Sequence, residues 1–494
     1  MVWIMYKNLI RGLGICMAVV LAGAMVWGTG IQVSAQSNFN SYTYDEWDDS
    51  VAAPASYQPV FSRNGIEIGA GAFNTPQDLF MDADGHLYVV DTGNNRIVVL
   101  DAELNLQEIM ESVRMNGEEI PLTDIEGLYV TEEHVMYASQ TSASRVLVIE
   151  DGEVTATIEK PVSSLIAEDF IFAPTKIGID IYGRAYVLSK GCYSGLLQFD
   201  VDGSFMGFFG ANKVEVTADV IFNYMWKNLL SDAQRAAMTS ILPIEYSNVD
   251  CSRDGFVYTS TVGTQLPKSQ IKKLNPLGNN IYYALGNAEF NFGDEEFSYT
   301  KGKVNYPSFM DVKVDEDGFI FAIDLTSGRI FERDQEANLI GVFGGMGNQL
   351  GTFQTPVAVE VYQGRVYVLD RGKSNITVFE PTEYGALVEE ATILYNNGLY
   401  DESSAAWQQV LARNANSTLA YNGIGKAYAQ AEEYTDALKY LRYSGDKYSY
   451  SRSFSKNRLL VIRKYGPFAV IGLVLIVIGV KVAKRAKRRK KDER

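Results

Sequence analysis

The side chains best suited to chemistry are scarce in one class and abundant in another. Histidine occurs only as His86 and His134, both set within strand-like patterns. A three-histidine metal centre is therefore excluded, and a histidine-dependent triad has just these two starting points. The sequence has no phosphate-cradling loop, no CxxC pair and no HExxH motif. Asp and Glu number 60, so position has to choose among them. One set stands out. Asp78, Glu126, Lys176, Asn248, Asp311 and Val357 each fall four residues ahead of a recurring polar turn. Five of these six are polar, although their neighbours are strand hydrophobics. Asp78, Glu126, Asn248 and Asp311 carry the oxygens that hold a hard cation such as Ca2+. The same groups also line wet channels, and Lys176 can neutralise the acids in place of a metal. The Asp-x-Asp-Gly turns at Asp82/Asp84 and Asp315/Asp317 offer similar oxygens, but aspartates in such turns usually cap their own backbone. No cofactor is expected, calcium being the one candidate, and no residue is assigned a catalytic role.

The elements that position this set come from internal repetition. TPQDLFMDADGHLYVVDTGNNRIVVLD (Thr75 to Asp101) recurs as YPSFMDVKVDEDGFIFAIDLTSGRIFERD (Tyr306 to Asp334) and as TPVAVEVYQGRVYVLDRGKSNITVFEP (Thr355 to Pro381). Weaker copies begin near residues 124, 174 and 246. Each reads as a short apolar strand, a polar turn, an alternating strand, a second polar turn and a third strand. Such units bury their faces only when closed into a ring, which predicts a six-bladed β-propeller over 57–381. The long spacings after the third and fourth units imply insertions. Residues 216–242 have helical apolar spacing, with Tyr224 and Trp226 as aromatic anchors for a partner, and Gly286 to Val304 reads as loop. The sixth unit lacks an outer strand, and Gln58 to Arg63 with Ile66 to Ile68 can supply it. After Pro381 the period becomes helical over 385–457, where Trp407 is a third candidate anchor.

The two ends address the protein. Lys7 and Arg11, an apolar run and Val33-Ser34-Ala35 predict a signal peptide over 1–35, followed by an acidic linker over 36–56. Residues 465–483 read as a transmembrane helix and 484–494 as a basic cytoplasmic tail. The chain carries −16 in total. Two excess positive charges lie in 1–35 and seven in 465–494, leaving −25 on 36–464. A body this acidic repels phosphate backbones and excludes a nucleic-acid partner. Three cysteines, one in the leader, make no disulfide framework, and whether Cys192 and Cys251 pair stays open. Asn375-Ile376-Thr377 and Asn416-Ser417-Thr418 are glycosylation sequons.

These repeats resemble the NHL repeat, a propeller family, and Phe343 to Pro356 is very like that family's blade-to-blade connector. Gly425, Tyr428, Tyr434 and Ala437 sit where a tetratricopeptide repeat wants them. The NHL resemblance implies recognition of partners by loops on one face, while gluconolactonase-like propellers hold a divalent metal with a comparable Glu/Asn/Asp set. The leading expectation is a cell-surface, membrane-anchored binding or scaffold protein for a protein or carbohydrate partner, with its body outside the cell. The alternatives are a metal-dependent hydrolase or lactonase and an accessory or sensor subunit of a transporter.

Overall fold

A computed structural model describes residues 38–45, 47, 49–210, 245–262, 270–282, 292–294, 298–300 and 303–492. The chain divides into two units, Met1–Ser37 and Asn38–Arg494. The signal-peptide expectation and the 216–242 insertion, with Tyr224 and Trp226, lie outside the described residues.

Six sheets form the blades, antiparallel throughout except where Glu153 pairs in parallel with Arg114 at the outer edge of blade two. Their innermost strands are Asp78–Met81, Ile125–Val130, Pro174–Ile179, Asn248–Cys251, Phe309–Val314 and Pro356–Tyr362. Each of these packs on the next, and the last packs on the first. The ring is a closed six-bladed β-propeller. Its core is divided by seam: one buried apolar cluster lies between each pair of neighbouring blades. Phe321, Phe331 and Phe343 of blade five, for example, are fully buried. A fully buried side chain of this size contributes roughly 1.5–3 kcal/mol, so each seam holds many times the stability of one hydrogen bond.

Closure uses the chain's beginning. Tyr57–Asn64 pairs antiparallel with Asn375–Pro381 and completes blade six. This is the strand expected from Gln58 to Arg63. Ile66 to Ile68 differs from expectation, because Gly65–Ile68 is a helical turn. Asn64 accepts from the amides of Ile66 and Glu67 while Glu67 reaches back to the Asn64 amide, and this reciprocal capping ends the strand. Two other expectations are corrected. The stretch 36–56 is no simple linker: Tyr42–Tyr44 pairs with Ser50–Ala52, and the first of these strands packs on the outer strand Leu339–Gly344 of blade five. Within Gly286 to Val304, Ser298–Thr300 forms a ladder with Lys303–Asn305.

The third strand of blade six runs to Pro381 and leads directly into helix α1, Glu383–Asn396. Helices α2 (Tyr400–Arg413), α3 (Thr418–Gln430) and α4 (Tyr434–Tyr443) follow, each packed on its predecessor. The seam between blades five and six continues into them, joining Tyr57, Phe343 and Phe379 to Tyr384, Val388, Trp407 and Ile424. Helix α5, Lys447–Asp492, contains one stretch long and apolar enough to cross a membrane.

Candidate functional site

Strand register places the predicted ring more exactly than counting along the sequence. Asp78 stands opposite Val90, Lys176 opposite Leu188 and Asp311 opposite Ile323. The matching positions in blades two and six are Gly127, opposite Ser139, and Ala358, opposite Leu369. Glu126 and Val357 are therefore each one residue out. Blade two's turn starts at Thr131, whose amide donates to Val135 as that of Asp82 donates to His86, and this is one residue later than the sequence count. A side chain at Gly127 is not possible, because an added Cβ would lie 2.1 Å from the Thr175 carbonyl oxygen of blade three. Glu126 instead pairs with Lys190 at 2.6 Å.

The remaining members of the set do converge. Lys176 Nζ donates to Asp78 Oδ1, and Asn248 Nδ2 donates to Asp311 Oδ1. Both aspartates also bind neighbouring blades. Asp78 Oδ2 accepts from the Leu128 amide of blade two (3.1 Å), and Asp311 Oδ2 from the Val359 amide of blade six (2.8 Å). The innermost strands have no further strand on their inner edge, so buried amides there need acceptors from elsewhere. The aspartates supply them.

Two residues further along each innermost strand lies a second tier: Phe80, Tyr129, Gly178, Asp250, Lys313 and Glu360. Lys313 Nζ sits 3.1 Å from Glu360 and 3.4 Å from Asp250, and 5.4 Å from the centre of the Phe80 ring. Asp250 repeats the interblade bond by accepting from the Val314 amide at 2.8 Å. The alternation of side chains along a strand was the signal for this tier, and the sequence count missed it.

Each tier holds two carboxyls and one ammonium in a buried interior. Burial pushes the Asp311 carboxyl up to about 7; Lys176 opposes the shift and the charge of Asp78 adds to it. Burial likewise pushes Glu360 up to about 8 against the pull of Lys313. Both lysines are held above their ordinary value because the surrounding acids outweigh the cost of burying them. This donor set fits calcium poorly. Ca2+ takes six to eight oxygens, whereas here an ammonium already sits on Asp78 and backbone amides occupy both aspartates. Among the described residues, no three His, Cys, Asp or Glu side chains gather to hold a metal.

Other candidates resolve into structural roles. Asp82 accepts from the amides of Asp84 and His86 at 3.0 and 2.8 Å, and Asp315 from those of Asp317 and Phe319 at 3.0 and 2.8 Å. These turns spend their first aspartate on their own backbone. His86 is 3.0 Å from Asp82 and directly precedes a strand, whereas His134 lies in a turn at φ +62°, 3.3 Å from Asp84. Among the described residues, neither histidine meets a nucleophile. Trp407 is 3% exposed, its ring pressed against Gly423, so it is a core residue rather than a surface anchor. Cys192 and Cys251 are both free thiols.

An open site lies on the face where the innermost strands begin, here called the entrance face. A cleft of about 500 Å³ is bordered by Phe39, Asp294, Arg329, Met346 and Thr352. Asp294 accepts from Tyr42 and from Tyr44 (3.1 Å) and binds Arg329 Nη1 at 2.7 Å, with the guanidinium 5.1 Å from the Tyr42 ring centre. Met346 is half exposed. The result is a cleft lined largely by polar groups, with Asp324 as a second acid beside the Arg329–Asp294 pair and Met346 as its exposed apolar edge; Asn38 to Asn40, within the stretch expected to be linker, supply part of its wall.

Fold and site together define a six-bladed β-propeller whose channel is plugged by interblade ion pairs. Residues 73–100 match the NHL repeat family. Among solved structures, virginiamycin B lyase from Staphylococcus aureus is 8% identical, with 65% of this chain and 98% of that chain covered and a TM-score of 0.38. A protein of unknown function from Bacteroides thetaiotaomicron is 11% identical, covering 69% of this chain and 76% of that one, with a TM-score of 0.41. No curated protein matches the chain.

Proposed function

We propose that this chain is a membrane-anchored binding protein that recognises a protein or carbohydrate partner through the entrance face of its propeller. The observation that carries this reading is the contrast between channel and cleft. The channel's charged groups are paired with one another and with backbone amides, so they are spent. The cleft beside Phe39 and Met346 is open; its Arg329–Asp294 pair is balanced, and the second acid on its lining, Asp324, is taken up by the Ser308, Thr326 and Ser327 amides. Such a surface suits a neutral polar ligand packed on an apolar edge. In this reading Asp78, Lys176, Asn248 and Asp311 set the shape of the face, and the Glu126–Lys190 pair stands on its rim. The leader and the basic tail favour a body outside the cell and a cytoplasmic C-terminus.

The test is a crosslinking pull-down from intact membranes. Arg329→Ala combined with Met346→Ala is expected to lower partner recovery at least several-fold while the variant, though less stable, still folds. Recovery equal to the parent's, with the variant folded, refutes the entrance face as the binding surface.

A further inference from the structure

The first part of α5, Lys447–Lys464, is unlike the rest of the body. It carries Lys447, Arg452, Lys456, Arg458, Arg463 and Lys464 and no acid, whereas 36–446 carries −31. All six cations are exposed, and none forms an ion pair among the described residues. Ser453 is buried and α4 packs against α5, so the start of the helix leans on the helical layer. Further on, Leu459, Leu460, Val461 and Ile462 are 57, 47, 48 and 56% exposed. Four consecutive apolar residues face every side of the helix, so no single protein face can cover them. Arg463 and Lys464 come next, then Gly466, Pro467 and the apolar stretch.

We infer that Lys447–Lys464 is a docking surface for the anionic headgroups of the leaflet from which the helix emerges. The inference holds for either orientation of the chain. Two observations select lipid as the occupant. The apolar span follows without a break, so 459–464 lie at headgroup depth, where long cationic side chains reach outward while their stems stay in apolar surroundings. The charge is also complementary, since six Lys and Arg side chains beside a span are attracted to any leaflet with a negative surface potential.

Pro467 supplies the mechanical element. It lies inside the helix and has no amide hydrogen to give the Arg463 carbonyl, so the helix is weakest there and bends most easily at that point. Upright, the eighteen residues raise the helical layer by roughly 27 Å at 1.5 Å per residue. Lying on an anionic leaflet, they bring it down to the surface. The acidic body opposes this, but only charges within a Debye length of about 8 Å feel the surface strongly. Lying flat, the stalk is within that distance along its whole length, and most of the propeller is beyond it.

The test uses the full chain in nanodiscs. A donor dye is attached through Glu108→Cys on blade one, in a Cys16→Ser, Cys192→Ser, Cys251→Ser background, and an acceptor dye marks the headgroups. Replacing part of the phosphatidylcholine with phosphatidylglycerol is expected to shorten the separation by on the order of 20 Å, and high salt is expected to reverse the change. The variant Lys447→Gln, Arg452→Gln, Lys456→Gln, Arg458→Gln is expected to stay extended in both lipids. Equal separations for the parent in the two lipids overturn the inference, as does a variant that responds like the parent. A response seen only with two copies per disc also overturns it, because the stalk would then be docking on a neighbour's acidic propeller.

Discussion

Replacing Glu360 by Gln isolates the electrostatic cost held in the channel. Glu360 is 4% exposed, and its neighbouring cation, Lys313, is shared with Asp250. Burial raises its carboxyl from 4.5 to about 8. Between those values the folded chain keeps a proton that the unfolded chain has released. The unfolded state then binds fewer protons, so stability falls as pH rises through the window, by up to about 1.4 kcal/mol per unit. Across the whole window this comes to about 5 kcal/mol, an order-of-magnitude figure. Gln keeps the volume and an acceptor oxygen but carries no charge. Its amide also faces Lys313 less favourably, but that penalty is nearly independent of pH and cancels when the same variant is compared at two pH values. The assay is denaturant unfolding of the full chain in neutral detergent, followed by near-ultraviolet circular dichroism at mildly acidic and mildly alkaline pH. Relative to the parent, the variant should gain several kcal/mol on going from acid to alkali. A difference that stays constant with pH, or that moves against the variant, would refute the account of a protonated carboxyl trapped beside an over-subscribed lysine.

Two further outcomes follow from the closure. Deleting 56–68 removes the outer strand of blade six together with buried Tyr57, whose ring stacks 4.9 Å from Phe343 and whose hydroxyl donates to Glu389 at 2.8 Å; the melting temperature should fall sharply, and an unchanged curve would contradict closure by this strand. Gly385→Ala puts a Cβ 2.1 Å from the Ser56 carbonyl oxygen, a backbone atom that cannot swing away, so α1 should separate from the propeller at a cost of roughly 1–3 kcal/mol, visible as faster proteolysis between Pro381 and Glu383.

The sequence made the ring legible because its punctuation repeats. Aspartate-led turns recur at the same place in units one, three and five, at Asp82, Asp180 and Asp315, and a sixth unit with three strands demands a fourth from elsewhere. Residues whose role depends on a partner distant in sequence were not legible. Tyr42 and Tyr44 look like an acidic linker's aromatics until Asp294 and Arg329 are placed beside them. Ile66 to Ile68 alternates like a strand, yet Asn64 and Glu67 cap a helical turn there. Glu126 reads as a ring member only while blade two's turn is counted from the wrong residue. Trp407 has the composition of an anchor, but the helical layer closes over it.

Channel acids in this fold have a meaning that precedes any catalytic one. A short innermost strand leaves backbone amides on its inner edge without a sheet partner, and a buried unpaired amide costs about as much as a lost hydrogen bond or more. An aspartate reaching across the seam satisfies that amide and fixes the angle between blades, as Asp78, Asp250 and Asp311 do. Each such carboxylate then needs a countercharge or a proton, which accounts for one lysine and a raised carboxyl in each tier. Acids at this position therefore serve closure before they serve a ligand. In this chain the two proposed partner surfaces, the Arg329–Met346 cleft and the cationic stalk, lie outside the channel.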